Sequence, residues 1–173
     1  MTHQLRIRQD ISDETFAPFG TLITRPAEAG QRQFYSDWLG SASSGLAPVF
    51  HVNRIEPVRL PGRLDKLEKH PHAAQAFVPL DVSRYLVTVA PSLASGQPDL
   101  SAVAVFELPS TLGVIYGRNV WHGGASVLDR TGSFAVLMWR GAADDDVFLP
   151  IPAIEILPSD DFRIDTIASG QGH

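Results

Sequence analysis

The 173-residue sequence predicts an all-β protein, one barrel or sandwich with few short helices. Three observations predict it. Short apolar runs rich in Val, Ile, Phe, Tyr and Thr recur along the chain, which suits a pleated, half-buried surface. Turn-forming residues separate them, as at Pro91-Ser92, Ser95-Gly96-Gln97-Pro98, Pro109-Ser110 and Asp129-Arg130-Thr131-Gly132. Helix signals are scarce. Many short strands broken by Pro and Gly turns belong to sandwiches and barrels.

Taken in order, Met1–Asp10 is polar and of mixed charge, without the apolar core of a signal peptide. Ser12-Asp13-Glu14-Thr15 predicts one helical turn with Ser12 as N-cap and acids favoured by the helix dipole; Pro18 and Gly20 stop it. Pro26–Gln33 reads as a surface loop. Strands are predicted over Val49–Val52, Ala76–Val78, Tyr85–Val89, Val103–Phe106, Val114–Tyr116 and Phe134–Trp139. Asp144-Asp145-Asp146 reads as a solvated turn rather than a metal site. The polar tail after Pro158 is expected to fray. No repeat, linker or composition shift divides the chain, so residues 1–173 are expected to form a single domain.

Composition narrows the function. A net charge of -5 argues against nucleic acid, and a small anionic ligand would need a local Arg or Lys. The absence of cysteine excludes disulfides, thiolate ligands and a cysteine nucleophile. No apolar run is long enough to span a bilayer, so a soluble, cytoplasmic protein without membrane partners is expected.

Of six histidines, His3 and His173 sit at ends expected to fray and to play no part. Glu68-Lys69-His70-Pro71-His72-Ala73-Ala74-Gln75 is the densest polar group beside an apolar strand. If Lys66–His70 is extended, Glu68 and His70 share a face, because side chains repeat every two residues. Pro71 then bends the chain, and a neighbouring strand begins at Gln75. His122 follows Arg118-Asn119-Val120-Trp121 in a turn-like stretch. His51 and His72 have fewer polar neighbours and read as surface or structural residues. Arg54 and Arg118 are candidates for a carboxylate, which a guanidinium can grip with two parallel hydrogen bonds. Trp121 and Tyr116 read as barrel wall, with the Tyr116 hydroxyl available to a ligand.

These blocks resemble the ureidoglycolate lyase family. Glu68-Lys69-His70-Pro71 with Gln75-Ala76-Phe77-Val78-Pro79 is similar to its Glu-Arg-His-Pro…Gln-Ala-Phe-Ile-Pro signature, and Gly113–His122 to its Gly-Val-x-Tyr-x-Arg-Asn-Val-Trp-His segment. Val52-Asn53-Arg54, Pro98-Asp99-Leu100-Ser101 and Phe16–Gly20 match further blocks in the expected order, over roughly Phe16 to Glu155. Two departures stand out. Gly123 replaces a second histidine after Trp-His, and His72 stands where the family has a small or apolar residue.

The resemblance implies a cupin-like double-stranded β-barrel, or jelly roll, and a homodimer. It implies cleavage of ureidoglycolate to glyoxylate and urea in purine breakdown. Glu68, His70 and Gln75 resemble the first ligand motif of cupins and His122 the second. A divalent metal on His70, Gln75 and His122 is therefore an option, weakened because Gln is neutral and a poorer ligand than a carboxylate. No organic cofactor is expected. In the chemistry so implied, His70 or His122 removes the hydroxyl proton and Glu68 or the other histidine protonates the departing urea. Arg54 or Arg118 holds the carboxylate; Asn53, Gln75 and Tyr116 hydrogen-bond the ureido group. The rival readings are another cupin enzyme, such as a metal-dependent oxygenase or an isomerase, and a non-catalytic barrel that binds a small ligand.

Overall fold

The structure, a computed structural model, describes residues 3–40 and 42–160. Its elements are β1 (His3–Arg6), α1 (Asp13–Phe16), β2 (Gly20–Ile23), α2 (Ser36–Leu39), β3 (Ala47–Ile55), β4 (Gly62–Lys69), β5 (Gln75–Pro79), β6 (Arg84–Ala90), β7 (Ala104–Pro109), β8 (Gly113–Tyr116), β9 (Trp121–His122), β10 (Ser126–Val127), β11 (Gly132–Arg140) and β12 (Val147–Leu157). One sheet has the order β1-β12-β4-β9-β6-β10, with β7 also paired to β6; the other has the order β2-β8-β5-β11-β3. Strands β4, β5 and β6 alternate between the sheets, as do β7, β8 and β9. The chain thus winds round a shared interior instead of completing one sheet before the next. This is the all-β architecture with few short helices expected from the sequence.

Strand β6 is buried on both faces. Tyr85, Val87 and Val89 of β6 face the interior with Phe16, Phe77, Phe106, Phe134 and Val136. Leu86 and Ala90, on the opposite face of β6, pack with Leu67, Val105, Trp121 and Ile154. A strand buried on both faces loses the alternation of apolar and polar residues, which is why Tyr85–Val89 reads as one unbroken apolar run.

Local rules account for the start of the chain. Ser12 Oγ accepts from Thr15 N at 3.2 Å while Ser12 N donates to Thr15 Oγ1 at 2.8 Å, a capping box on the predicted turn. Gly20 lets β2 approach β8: with φ at 152°, a Cβ there would lie 1.8 Å from the Ile115 carbonyl oxygen.

Two expectations are corrected, and one strand is added. His3 belongs to β1, which pairs in parallel with β12 through His3↔Ile154, so this end is tied down. No strand predicted from the sequence corresponds to the eleven-residue β12, which carries Pro150 and Pro152. It accommodates them through a register shift between Pro150 and Ile154 against β4. His122 lies in a two-residue strand between β4 and β6 instead of a turn. His173 and most of the tail after Pro158 lie outside the described residues. Among the described residues, no helix is long and apolar enough to cross a membrane.

Candidate active site

The site forms where the chain passes from one sheet to the other. Glu68, near the end of β4, sits opposite His122 of β9. His70 follows β4, and the turn through Pro71 carries the chain across the interior to Gln75 at the start of β5, in the facing sheet. Gln75 therefore meets the Glu68/His70 face from across the barrel, not from a neighbouring strand. The turn is held from behind. Asn119, at φ 62°, donates its backbone N–H to His70 O at 2.8 Å. Arg118 donates to Pro71 O from Nε and Nη2 at 3.4 and 3.3 Å, and to Ser43 Oγ at 3.1 Å.

His70 and His122 are buried, with ring centroids 5.2 Å apart. Tyr116 stacks on His122 at 4.2 Å, nearly parallel. His122 Nδ1 lies 2.9 Å from Val120 O. A carbonyl oxygen can only accept, so Nδ1 carries the hydrogen. Burial first, then the neighbouring His70, depresses the pKa of His122 to about 3, so the ring is neutral at pH 7. Its Nε2 is then a bare lone pair, 3.2 Å from Gln75 Oε1 and 3.7 Å from Glu68 Oε1. His70 repeats the pattern. Its Nδ1 lies 3.2 Å from Asp145 O and 2.9 Å from Asp146 Oδ1, and its Nε2 lies 3.0 Å from Gln75 Oε1. With a neutral His70, four lone-pair atoms face one point.

Such a cluster needs a positive partner. A cation can meet it, as can the Gln75 amide turned end for end, whose NH2 then offers two donors. The donor set fits a cation. Glu68, His70 and His122 offer ligand atoms within 4.8 Å of one another. Two imidazoles with carboxylate and amide oxygen suit a divalent transition metal. Among the described residues, Gln75 Nε2 as placed finds only the Met138 thioether, at 3.5 Å. Burial pushes the Glu68 carboxyl above its ordinary pKa, the nearby His70 opposes that, and Asp146 reinforces it.

The cluster opens on a cleft of about 340 Å³ lined in part by His51, Asn53, Lys66, Glu68, Arg140 and Asp146. The structure brings Glu68, His70, Gln75, His122 and Asn53 to this place. It does not bring Arg54 or Arg118. Arg54 follows Asn53 on β3 and so points to the opposite face, where it lies 3.7 Å from Asp81. Arg118 braces the Pro71 turn, outside the cleft lining. Tyr116 contributes its ring face to His122, and its hydroxyl, buried in the wall, is pushed well above its usual pKa by desolvation. The basic residues lining the cleft are Lys66 and Arg140.

Four further polar lining residues, His51, Lys66, Arg140 and Asp146, escaped sequence reasoning. His51 shares the face of Asn53 by the two-residue repeat, a signal that was present on β3. Arg140 closes β11 on the face that also carries Phe134, Val136 and Met138, again at a spacing of two. Asp146 sits in the acidic turn read as solvated. Asp144 fits that reading, pairing with His72 at 2.7 Å on the surface, but Asp146 turns inward to His70.

Fold and site together present an all-β protein with a His-His-Glu cluster of the kind that can support acid–base or metal-assisted chemistry. The family model described as ureidoglycolate lyase matches residues 2–151. The chain belongs to the ureidoglycolate lyase family. It is 32% identical over 162 residues to the ureidoglycolate lyase of Escherichia coli (strain SMS-3-5 / SECEC), covering 84% of this chain and 94% of that one. It is 33% identical over 142 residues to that of Burkholderia cepacia, covering 77% and 78%. Among solved structures, RmlC from Streptococcus suis in complex with dTDP-D-xylose is similar at a TM-score of 0.42 and 16% identity, over 78% of this chain and 56% of that one. Oxalate oxidase in complex with glycolate is similar at 0.39 and 18%, over 75% and 70%.

Proposed function

We propose that the chain cleaves ureidoglycolate to glyoxylate and urea, working as one domain over residues 1–173 in the cytoplasm. The observation that carries this reading is the convergence of Glu68, His70, Gln75 and His122 at the base of a cleft with basic residues in its lining, in a member of this family. Cleavage turns the hydroxyl-bearing carbon into a carbonyl. The O–H proton leaves, the C–N bond breaks with its electron pair going to nitrogen, and that nitrogen takes a proton. No water or electrons are consumed, so one group that accepts the first proton and returns it closes the balance.

Glu68 is assigned that task. It faces the cleft, and its raised pKa brings its acid and base forms closer to balance at working pH. His70, His122 and Gln75 are assigned as ligands of a divalent cation. A cation bound there would polarise the substrate hydroxyl and lower its pKa. Arg140, with Lys66, takes the carboxylate in place of Arg54 and Arg118. Asn53 and His51 face the ureido end.

The test is release of urea and glyoxylate from ureidoglycolate by metal-analysed protein. Equimolar products, lost on chelation and restored by added metal, are expected. Absence of turnover by folded, metal-loaded protein refutes the lyase reading in favour of a binding barrel. Turnover indifferent to chelation refutes the metal assignment.

The homodimer is assigned to the outer face of β3, β11 and β5. Phe50 lies beside Leu137, and Val52 beside Ala135 and Val78, by strand register. Phe50 and Val52 are 70% and 57% exposed. β3 is an edge strand of nine residues, and a second copy can cover both its unpaired backbone and this apolar face through a twofold axis.

A further inference from the structure

The turn Gly141–Asp146 is built more tightly than a solvated loop requires. Asp145 folds its carboxylate back onto the backbone N–H groups of Gly141 at 2.6 Å and Ala142 at 3.1 Å. That closure leaves the Asp145 carbonyl and the Asp146 carboxylate facing His70 Nδ1. Asp146 Oδ1 comes within 2.9 Å of Nδ1, yet it is buried and lacks the alignment of a hydrogen bond. Asp146 Oδ2 accepts from Arg140 Nη1 in a short contact. One carboxylate thus touches a histidine of the lone-pair cluster and a basic residue of the cleft lining.

We propose that Asp146 is the positioning residue of this site, holding His70 from its Nδ1 side with one oxygen and Arg140 with the other. The first contact places a negative charge beside the Nδ1 that faces the Asp145 carbonyl, reinforcing the tautomer whose Nε2 lone pair faces Gln75 and making the ring a stronger donor. A carboxylate behind a ligating imidazole has this effect in general. The second contact restrains Arg140, whose guanidinium would otherwise sample many rotamers at the cleft wall. The substrate's carboxylate and its reacting carbon are then located by groups that share one anchor. The inference rests on the proposed lyase reading for the role of Arg140, and on the cation assignment for the role of His70.

The experiment compares wild type with Asp146→Asn, which keeps size and removes charge. Asp144→Asn serves as the control, because it makes the same charge change on the same turn at the surface pair with His72. Three quantities are read: the dissociation constant of Mn2+ for the metal-stripped protein, KM and kcat for ureidoglycolate, and the exchange of the His70 Nδ1–H proton in isotope-labelled, metal-stripped protein. That proton is assigned through its loss in His70→Gln. Asp146→Asn is expected to weaken Mn2+ about tenfold to a hundredfold, to raise KM as well as lower kcat, and to speed exchange of the Nδ1–H proton; Asp144→Asn is expected to move none of them. Folded Asp146→Asn protein with unchanged Mn2+ affinity, KM and exchange overturns the proposal. If wild type binds no Mn2+, the cation assignment falls, and the exchange rate and KM still decide for or against Asp146. If wild type turns over no ureidoglycolate, the lyase reading falls, and Mn2+ affinity with proton exchange decides.

Discussion

His122→Phe is the sharpest perturbation of the site, because it keeps the ring that stacks on Tyr116 and removes both nitrogens. Two consequences can be separated. The lost Nδ1–H leaves Val120 O without its 2.9 Å donor, a cost of about 1–3 kcal/mol at neutral pH. That cost is offset in part because a buried polar ring no longer needs a partner. The second consequence is a change in pH dependence. With a pKa near 3 in the folded protein and about 6.5 unfolded, His122 is charged only in the unfolded chain between those limits. The unfolded state then binds the extra proton, so wild-type stability falls as pH drops from about 6.5 toward 3, by about 1.4 kcal/mol per pH unit once below the unfolded pKa. From about pH 7 to about pH 5 this amounts to about 2 kcal/mol from this one group. Urea unfolding of metal-stripped wild type and His122→Phe at both pH values measures it. The variant should lose less stability on acidification than wild type by that amount, and its turnover per folded molecule should fall by at least about a hundredfold. An identical pH dependence in both proteins refutes the neutral buried imidazole. Near-wild-type turnover refutes its part in the site.

Further outcomes are expected elsewhere. Glu68→Gln, which keeps the shape of a half-buried side chain, should cut kcat by about 10²–10⁴-fold without loss of folded protein, checked by steady-state assay beside circular dichroism. Arg140→Met should raise KM for ureidoglycolate about tenfold or more, as expected for removal of a charge-assisted contact; Arg54→Ala, on the far face of β3, should leave KM within about twofold, as for a surface ion pair. Phe50→Glu should convert the dimer to monomer in light scattering, because it places charge in the apolar outer face; an unchanged mass would remove β3 as the interface.

Several features were legible from the sequence because they depend on neighbours along the chain. Ser12 caps its helical turn through Thr15, three residues away. The β-rich runs at Val49–Val52, Val114–Tyr116 and Phe134–Trp139 became strands because side-chain shape suits the pleat wherever the strand lies. Glu68 and His70 share a face because alternation is a property of a single strand. The family, too, was readable from the Gln75–Pro79 and Gly113–His122 blocks. Other features rest on the pairing of distant segments, which a local pattern does not encode. Alternation says that Asn53 and Arg54 face opposite ways, but only the pairing of β3 with β11 shows which of them enters the cleft. Pro150 and Pro152 fit within β12 because the register shifts between Pro150 and Ile154 against β4, which only the pairing of the two strands shows. Glu68 and Gln75 meet because their strands lie in facing sheets, a crossing set by the winding of the whole barrel. The acidic turn at Asp144–Asp146 has the composition of solvated loops, and its last carboxylate is drawn inward only because His70 and Arg140, far apart in sequence, are brought to either side of it. Local sequence sets the conformational preference of a segment; burial and partnership are set by which remote segment folds against it, and at this site that decided which charges belong to the chemistry.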